Sequence, residues 1–233
     1  MMDKKLDLSI IIPAYLEAEN LVIILPQLNN ILQNMGINYE ILVIDTMEAM
    51  DKTHEACLAN NVVYVNRKNG NNYGDAIRTG IESSCGDKVI FMDADGSHDP
   101  LFILELFKYK DDYDVVIASR YIEGGGIENS KTLIFMSKVL NLTYSLVLNI
   151  KCKDLSNSYK LYDSKQLKST TLYCNNFDIV EEIIYKISKN KKHIKILEVP
   201  YVFKKRMFGE TKRNLVVFMF SYFTTMIKLR FGK

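Results

Sequence analysis

Residues 86–100 read Gly-Asp-Lys-Val-Ile-Phe-Met-Asp-Ala-Asp-Gly-Ser-His-Asp-Pro. A short apolar run, residues 89–92, ends in two carboxylates one residue apart, and Pro100 then opens a helical pattern. That order predicts a buried strand, a polar loop and a helix. In extended chain, residues i and i+2 project to the same side, so Asp93 and Asp95 can face one ligand. Two hard oxygen donors at that spacing suit Mg²⁺ or Mn²⁺ shared with substrate phosphates. The plainer reading is an acidic turn in which Ser97 and Asp99 cap the following helix. The strand-end setting and the groups described next favour the ligand site.

The same rhythm extends outward from this stretch. Residues 8–13, 40–45, 62–66, 88–93 and 114–119 are short, rich in Ile and Val, and end in polar or turn residues, as strands do. Between them, residues 19–35, 53–60, 73–85 and 100–110 have helical length and spacing. Continuous apolar strands alternating with helices predict an α/β fold, a mostly parallel central sheet covered by helices on both faces. Ligands in such sheets sit at the carboxyl ends of the strands. The second half reads differently: a break at Gly124–Gly126, helices over 132–150 and 176–190, a strand over 194–203 and a terminal helix over 215–231. On the 132–150 helix, Ser137, Asn141 and Ser145 recur every fourth residue. The expected organisation is one domain over residues 1–213 with a C-terminal amphipathic helix over 214–233.

Length and composition narrow the function. The 233 residues can bury a sizeable core, and 48% apolar with 25% charged residues are ordinary globular values. A net charge of +2 argues against a nucleic-acid binder. Basic residues gather only at the end, where Lys204, Lys205, Arg206, Lys212, Arg213, Lys228, Arg230 and Lys233 are set against Glu210. Cys57, Cys85, Cys152 and Cys174 form no metal-like spacing, so reduced thiols in a cytoplasmic protein are expected. The leading apolar run is too short for a signal peptide. The longest, residues 215–227, falls short of the roughly 20 residues a bilayer span needs.

Other strand ends supply further candidates. Pro13, Tyr15 and Glu17 follow the first strand at i, i+2, i+4; Tyr15 can stack on a base, and Glu17 can accept from base or ribose. Asp45 ends the second strand. Taken alone, each is a loop or cap residue; three acidic strand ends together point to one polar ligand. Arg120, after the fifth strand, and Arg206 and Lys212 are the cations to meet phosphate, or else solvated surface charge.

Five segments, in order, carry a likeness to one family: Ile-Ile-Pro-Ala-Tyr-Leu-Glu-Ala-Glu-Asn (11–20), Tyr-Gly-Asp-Ala-Ile-Arg-Thr-Gly (73–80), the stretch 86–100, Ala-Ser-Arg-Tyr-Ile-Glu-Gly-Gly-Gly (118–126) and Glu-Val-Pro-Tyr-Val-Phe-Lys-Lys-Arg-Met-Phe-Gly-Glu-Thr-Lys (198–212). They resemble the family 2 glycosyltransferases, within them the dolichol-phosphate or polyprenyl-phosphate mannosyltransferase-like branch. The resemblance implies a GT-A type, Rossmann-like single domain. It implies a nucleotide-sugar pocket of Pro13, Tyr15, Glu17, Val43 and Asp45. Asp93, Ala94 and Asp95 would hold a metal-diphosphate with Ser97 on the metal side, and Arg120, Arg206 and Lys212 would contact phosphates. Leu16 stands where that family usually has Asn, and Leu133 near a usual Arg.

The expected reaction is inverting, metal-dependent transfer of a hexose, mannose or glucose, from a GDP-mannose or UDP-glucose type donor to a polyprenyl phosphate. Mg²⁺ or Mn²⁺ is the expected cofactor, and Asp95, Arg120, Arg206 and Lys212 are the expected catalytic groups. A phosphate acceptor is already an anion and needs alignment and charge neutralisation rather than a base. A saccharide hydroxyl is the alternative acceptor, with Glu181, Glu182 or Asp154 as base; by default these are a solvated helix face and a turn residue. In the last helix, Ser221, Thr224, Thr225 and Lys228 form one polar stripe. With Lys228, Arg230 and Lys233 it suits the cytoplasmic face of an anionic membrane, or else core or homodimer packing; a membrane-anchoring subunit is a further expected kind of partner. Two other classes compete. Asp93-Ala94-Asp95-Gly96-Ser97 fits a haloacid-dehalogenase-like phosphatase motif, but it comes late in the chain and lacks that family's later acidic pair. A non-catalytic nucleotide-sugar binding subunit is the other.

Overall fold

The residues of β1 (Leu8–Pro13) are buried without exception, as a strand covered on both faces must be. Ile10 and Ile12 enter one core layer and Ile11 the other, following the period-two alternation of extended chain. The structure is a computed structural model that describes residues 5–128, 131–209 and 215–232, with side chains from residue 222 onward in the last segment. After β1 come α1 (Ala18–Asn34), β2 (Tyr39–Asp45), α2 (Thr53–Ala59), β3 (Val63–Asn66), α3 (Tyr73–Ser83) and β4 (Lys88–Phe91). A 3₁₀ turn (Pro100–Phe102) leads into α4 (Ile103–Lys108), then β5 (Val115–Ser119), β6 (Gly126–Ile127) and α5 (Lys131–Leu148). The chain continues through β7 (Lys160–Asp163), α6 (Ser164–Lys168), α7 (Ile179–Asn190), β8 (Ile196–Pro200), β9 (Val202–Phe203) and α8 (Leu215–Phe231).

The main sheet runs β3-β2-β1-β4-β7-β5-β8, and β6 and β9 form a small separate pair. Every main-sheet pairing is parallel except those of β7, which lies antiparallel between β4 and β5. The chain winds outward from β1 through β2 and β3, then lays β4 on the other side of β1. That reversal opens a crevice at the carboxyl ends of β1 and β4. One core layer packs Leu21, Ile24, Leu25 and Leu28 of α1 and Ile103 and Leu106 of α4 on the sheet. The opposite layer gathers Ala76 and Ile77 of α3, Tyr144 and Leu148 of α5, Ile179 and Ile183 of α7 and Tyr222 and Met226 of α8.

The expected elements are present, β6 and α6 are short additions, and three further differences stand out. Residues 100–110 divide because Pro100 and the Asp99 cap, whose carboxylate accepts from Leu101 N–H at 3.0 Å, tighten the first turn. The expected strand over 194–203 splits into β8 and β9. β7 was not expected: its first residue is a lysine, which breaks the apolar run. Lys160 is nonetheless fully buried, its Nζ donating to the Leu155 carbonyl at 2.7 Å.

On the two carboxy-half helices, polar positions singled out in the sequence are drawn into buried hydrogen bonds. On α5 the polar face turns inward: Asn141 is buried and donates to Ser156 Oγ at 2.9 Å, and Ser145 donates to the Ile150 carbonyl at 2.7 Å. On α8, Thr225 of the expected polar stripe is buried and donates to Asp178, while Tyr222 takes the Tyr144 hydroxyl on its carbonyl at 2.6 Å. Apolar side chains face outward instead, among them Phe135 (68% exposed), Leu142 (61%), Leu146 (71%), Phe223 (58%) and Phe231 (73%). The helix is docked on α5 and on the residue that opens α7.

Candidate active site

β4 delivers Asp93 and Asp95 to the crevice, each with about a fifth of its side chain exposed. The Asp93 backbone N–H donates to His98 Nδ1 at 2.9 Å, and its Oδ1 accepts from Ser158 Oγ at 3.1 Å. Asp95 Oδ1 accepts both the N–H of Ser97, at 3.0 Å, and its hydroxyl. Burial opposes ionisation of Asp95, but the Ser97 hydrogen bonds, with His98 and Arg206 nearby, hold its carboxyl below the usual range. Ser97 is 1% exposed and its hydroxyl is turned onto Asp95. Ala94 is buried between the two acids.

A strap formed by residues 204–209 crosses this loop. The N–H groups of Lys204 and Met207 donate to the carbonyls of Ser97 and Asp95, at 3.2 and 2.9 Å. Gly96 permits the approach: it sits at φ +81, and a Cβ there would lie 2.5 Å from Met207 Cγ. The strap carries Arg206 into the crevice. Its Nη1 donates to both Glu17 oxygens, at 2.9 and 3.1 Å, and its Nη2 lies 3.3 Å from Asp95 Oδ2. One guanidinium therefore joins the acids that end β1 and β4. Lys212 lies outside the described residues.

The turn after β1 presents Tyr15, 36% exposed, and the largely buried Glu17, whose carboxylate also accepts from Asn20 at 2.6 Å. Leu16 between them adopts φ 56, a left-handed conformation that costs a branched residue roughly 1–2 kcal/mol. Pro13 closes β1 and is buried. Val43 is fully buried in the layer shared with α1. Asp45, at the end of β2, is 1% exposed and accepts from the Tyr64 hydroxyl at 3.0 Å. Arg67, just past β3, reaches across, donating to the Ala14 carbonyl and, at 2.6 Å, to that of Asn71. It ties the turn bearing Tyr15 to the loop before α3.

On the other flank Arg120 is committed to the protein. Its backbone N–H, Nε and Nη2 donate to Asp154 at 2.8, 2.8 and 2.7 Å, and Nη2 also meets Ser156 Oγ at 2.8 Å. Burial opposes its charge, and the Asp154 carboxylate more than offsets that, raising its pKa. Glu198 of β8 sets Asp154 in place by accepting its N–H at 3.0 Å and that of Lys153 at 2.9 Å. None of the three acids weighed as bases is solvated. Asp154 is fully buried on Arg120; Glu182 accepts the N–H groups of Tyr173 and Cys174 and the ammonium of Lys186. Glu181 is fully buried, and burial pushes its carboxyl up to about 8.

The donor set fits a divalent cation shared with a ligand. Asp93 and Asp95, each partly exposed, stand in the turn that follows β4 rather than in extended chain, and a cationic guanidinium already sits between Asp95 and Glu17. Among the described residues no cluster of three or more His, Cys, Asp or Glu side chains could hold a metal alone, so a cation here would take further oxygens from phosphate or water. Sequence reasoning missed Arg67, His98 and Ser158. His98 lay inside the deciding stretch, but nothing in its spacing announces a fully buried ring. Ser158 reaches Asp93 only because β7 pairs with β4.

Comparison with known proteins agrees with this fold. The profile of Glycosyl transferase family 2 matches residues 9–170. The chain is 32% identical over 212 residues to a dolichol-phosphate mannosyltransferase of Pyrococcus furiosus, covering 88% of this chain and 58% of that one; it thus spans little more than half of that relative. It is 27% identical over 216 residues to an undecaprenyl-phosphate mannosyltransferase of Micrococcus luteus, covering 88% and 86%. The crystal structure of glucosyl-3-phosphoglycerate synthase from Mycobacterium tuberculosis, in complex with Mn²⁺, uridine diphosphate and phosphoglyceric acid, superposes with a TM-score of 0.75. That match covers 98% of this chain and 80% of the other at 15% identity, a likeness of fold. The GT-A arrangement expected from the sequence is the one observed.

Proposed function

The chain belongs to glycosyl transferase family 2, and from that premise we propose that it transfers a hexose, mannose or glucose, from a nucleotide-sugar to a polyprenyl phosphate, inverting the anomeric centre. The observation that carries the proposal is the convergence at the switch point, where Arg206 joins Glu17 of the β1 end to Asp95 of the β4 end. In this reading Tyr15, partly exposed after β1, and Asp45, at the end of β2, would serve the nucleoside, and Asp93 and Asp95 the diphosphate.

A divalent cation bound by Asp93 and Asp95 would supply Lewis-acid stabilisation of the departing diphosphate. The chain's own groups do the rest. Asp95 is kept ionised by Ser97. Arg206 can exchange its carboxylate partners for phosphate oxygens as a ligand enters. Arg120, clamped and neutralised by Asp154 and stacked near Tyr121 and Phe203 with ring distances of 5.2 and 5.6 Å, braces this flank.

The state of the three candidate bases supports the choice of acceptor. Asp154 and Glu182 are engaged, and Glu181 is enclosed, so none of the three offers a base for a saccharide hydroxyl. A phosphate needs none. The relatives named for dolichol-phosphate and undecaprenyl-phosphate mannosyl transfer support the same choice. A lipid acceptor also gives the outward apolar faces of α5 and α8 a purpose. Lys131, Lys138, Lys228 and Arg230 accompany them, and neither helix contains an acidic residue. No described helix is long and apolar enough to cross a membrane. Peripheral contact with the anionic cytoplasmic leaflet is the arrangement we infer.

The test is a panel of GDP- and UDP-sugars offered with a short-chain polyprenyl phosphate and Mn²⁺. A hexosyl-phosphoryl lipid of inverted configuration, detected by mass spectrometry and NMR, is expected. Transfer to saccharide hydroxyls alone, or retention of configuration, would overturn the proposal.

A further inference from the structure

His98 is wholly enclosed, five residues after Asp93 and in contact with it. Its Nδ1 accepts the Asp93 backbone N–H, so that nitrogen carries no proton and the neutral ring's hydrogen is on Nε2. Nε2 is buried and has no hydrogen-bond partner. The Asn157 amide beside the ring donates to the Ala118 carbonyl at 2.5 Å and accepts from Tyr159 N–H at 3.3 Å, which leaves its oxygen one lone pair as the rival acceptor to Asp93. The carboxylate oxygen facing Nε2 is Asp93 Oδ2, at 3.8 Å, too long for a hydrogen bond.

The ring cannot close that gap by moving. It stacks on Tyr159 at 4.4 Å with planes 10° apart, and meets Phe203 and Tyr201 edge-on at 5.5 and 6.4 Å. Asp93 can, being partly exposed and held at its carboxylate by Ser158. A buried donor left unsatisfied costs about 1–3 kcal/mol, and a carboxylate shift of under about 1 Å would satisfy it.

We propose that His98 is a positioning residue: its Nε2–H is the donor that fixes Asp93 Oδ2 when the crevice is loaded. With Oδ1 on Ser158 and Oδ2 on His98, the carboxylate plane is set. One lone pair of each oxygen is then left facing the crevice. The inference rests on the reading of Asp93 and Asp95 as the grip on a cation and diphosphate.

Two substitutions separate the ring's two nitrogens. His98→Asn keeps an acceptor near Nδ1 and removes the donor; His98→Gln puts an amide N–H near Nε2 and removes the acceptor. Mn²⁺ affinity is read by electron paramagnetic resonance of free Mn²⁺, with UDP and separately with GDP, after thermal unfolding establishes that each variant is folded. His98→Asn should bind Mn²⁺ about tenfold or more weakly, and His98→Gln should recover most of the loss. Parent-like affinity in His98→Asn, or a larger loss in His98→Gln, overturns the proposal. In the parent protein, the Nε2–H proton should move downfield in NMR spectra on adding Mg²⁺ with UDP or GDP; an unmoved signal overturns it as well, whatever the folding of the variants. If the parent binds no Mn²⁺ with either nucleotide, the site reading falls too. If Asp95→Ala abolishes parent binding while His98→Asn does not weaken it, only the role of His98 falls.

Discussion

Arg206 holds two positions at once in the logic of the site. Its guanidinium bridges Glu17 and Asp95, which is where a metal-bearing ligand would place positive charge. Without a ligand the bridge keeps two partly buried carboxylates from facing each other uncompensated. With one, the cation and Arg206 compete for Asp95, and Arg206 becomes available to phosphate. Arg206→Ala should therefore lower stability by about 1–3 kcal/mol, the worth of hydrogen bonds between charged groups. Mn²⁺ alone should raise the variant's melting temperature more than the parent's, while transfer falls about a hundredfold through loss of a charge-stabilising donor. Equal Mn²⁺ stabilisation of both proteins would show that the guanidinium and the cation do not share a place. Of these residues, the acids were legible because each ends an apolar run. Their partnership with Arg206 was not, since the strap that carries it has no periodicity and its path depends on Gly96 admitting Met207.

At the level of elements, α5 and α8 offer the strongest disagreement between pattern and packing. Helical spacing identifies a polar stripe on each, and solvent is the natural place for it. Buried hydrogen-bond partners claim members of those stripes instead, Ser156 for Asn141 and Asp178 for Thr225, while Lys228 stays exposed. The apolar faces are left outside, and full burial of each exposed Phe or Leu would be worth about 1.5–3 kcal/mol. Removing α8 would strip Tyr222 and Met226 from the core, so point substitutions are the cleaner probe. Phe135→Ser, Leu146→Ser and Phe231→Ser together should weaken co-sedimentation with anionic vesicles at least about tenfold, given that area term. Transfer to a short, soluble polyprenyl phosphate should stay close to the parent rate. Undiminished vesicle binding would remove these faces from membrane contact. β7 escaped detection for a related reason. Strand patterns are read from apolar runs, and Lys160 interrupts one while being buried by a carbonyl that only the folded chain brings near.

Across the whole molecule, the amino-terminal α/β half was legible almost element by element, because strands buried on both faces leave continuous apolar runs. The crossing of β7 between β4 and β5 was not, and with it comes a buried charge problem. Lys160 and Glu181 are both fully enclosed; burial pushes the lysine down to about 8 and the glutamate up to about 8. The signs oppose each other. Glu181 has a folded pKa above its unfolded value, so its contribution to stability is complete below about pH 4.5 and is lost as pH rises toward 8. Lys160 has a folded pKa below its unfolded value, so its unfavourable contribution is relieved as pH rises from 8 toward 10.5. Together they place a minimum of the pair's contribution near pH 8. Glu181→Gln keeps the shape of the protonated acid and removes its titration. Urea unfolding at intervals from pH 5 to 8 should therefore show the variant gaining on the parent, with a limiting slope of about 1.4 kcal/mol per pH unit. A difference that stays constant over that range would mean that Glu181 is ionised in the folded chain and that the Lys160 ammonium, not burial, governs it.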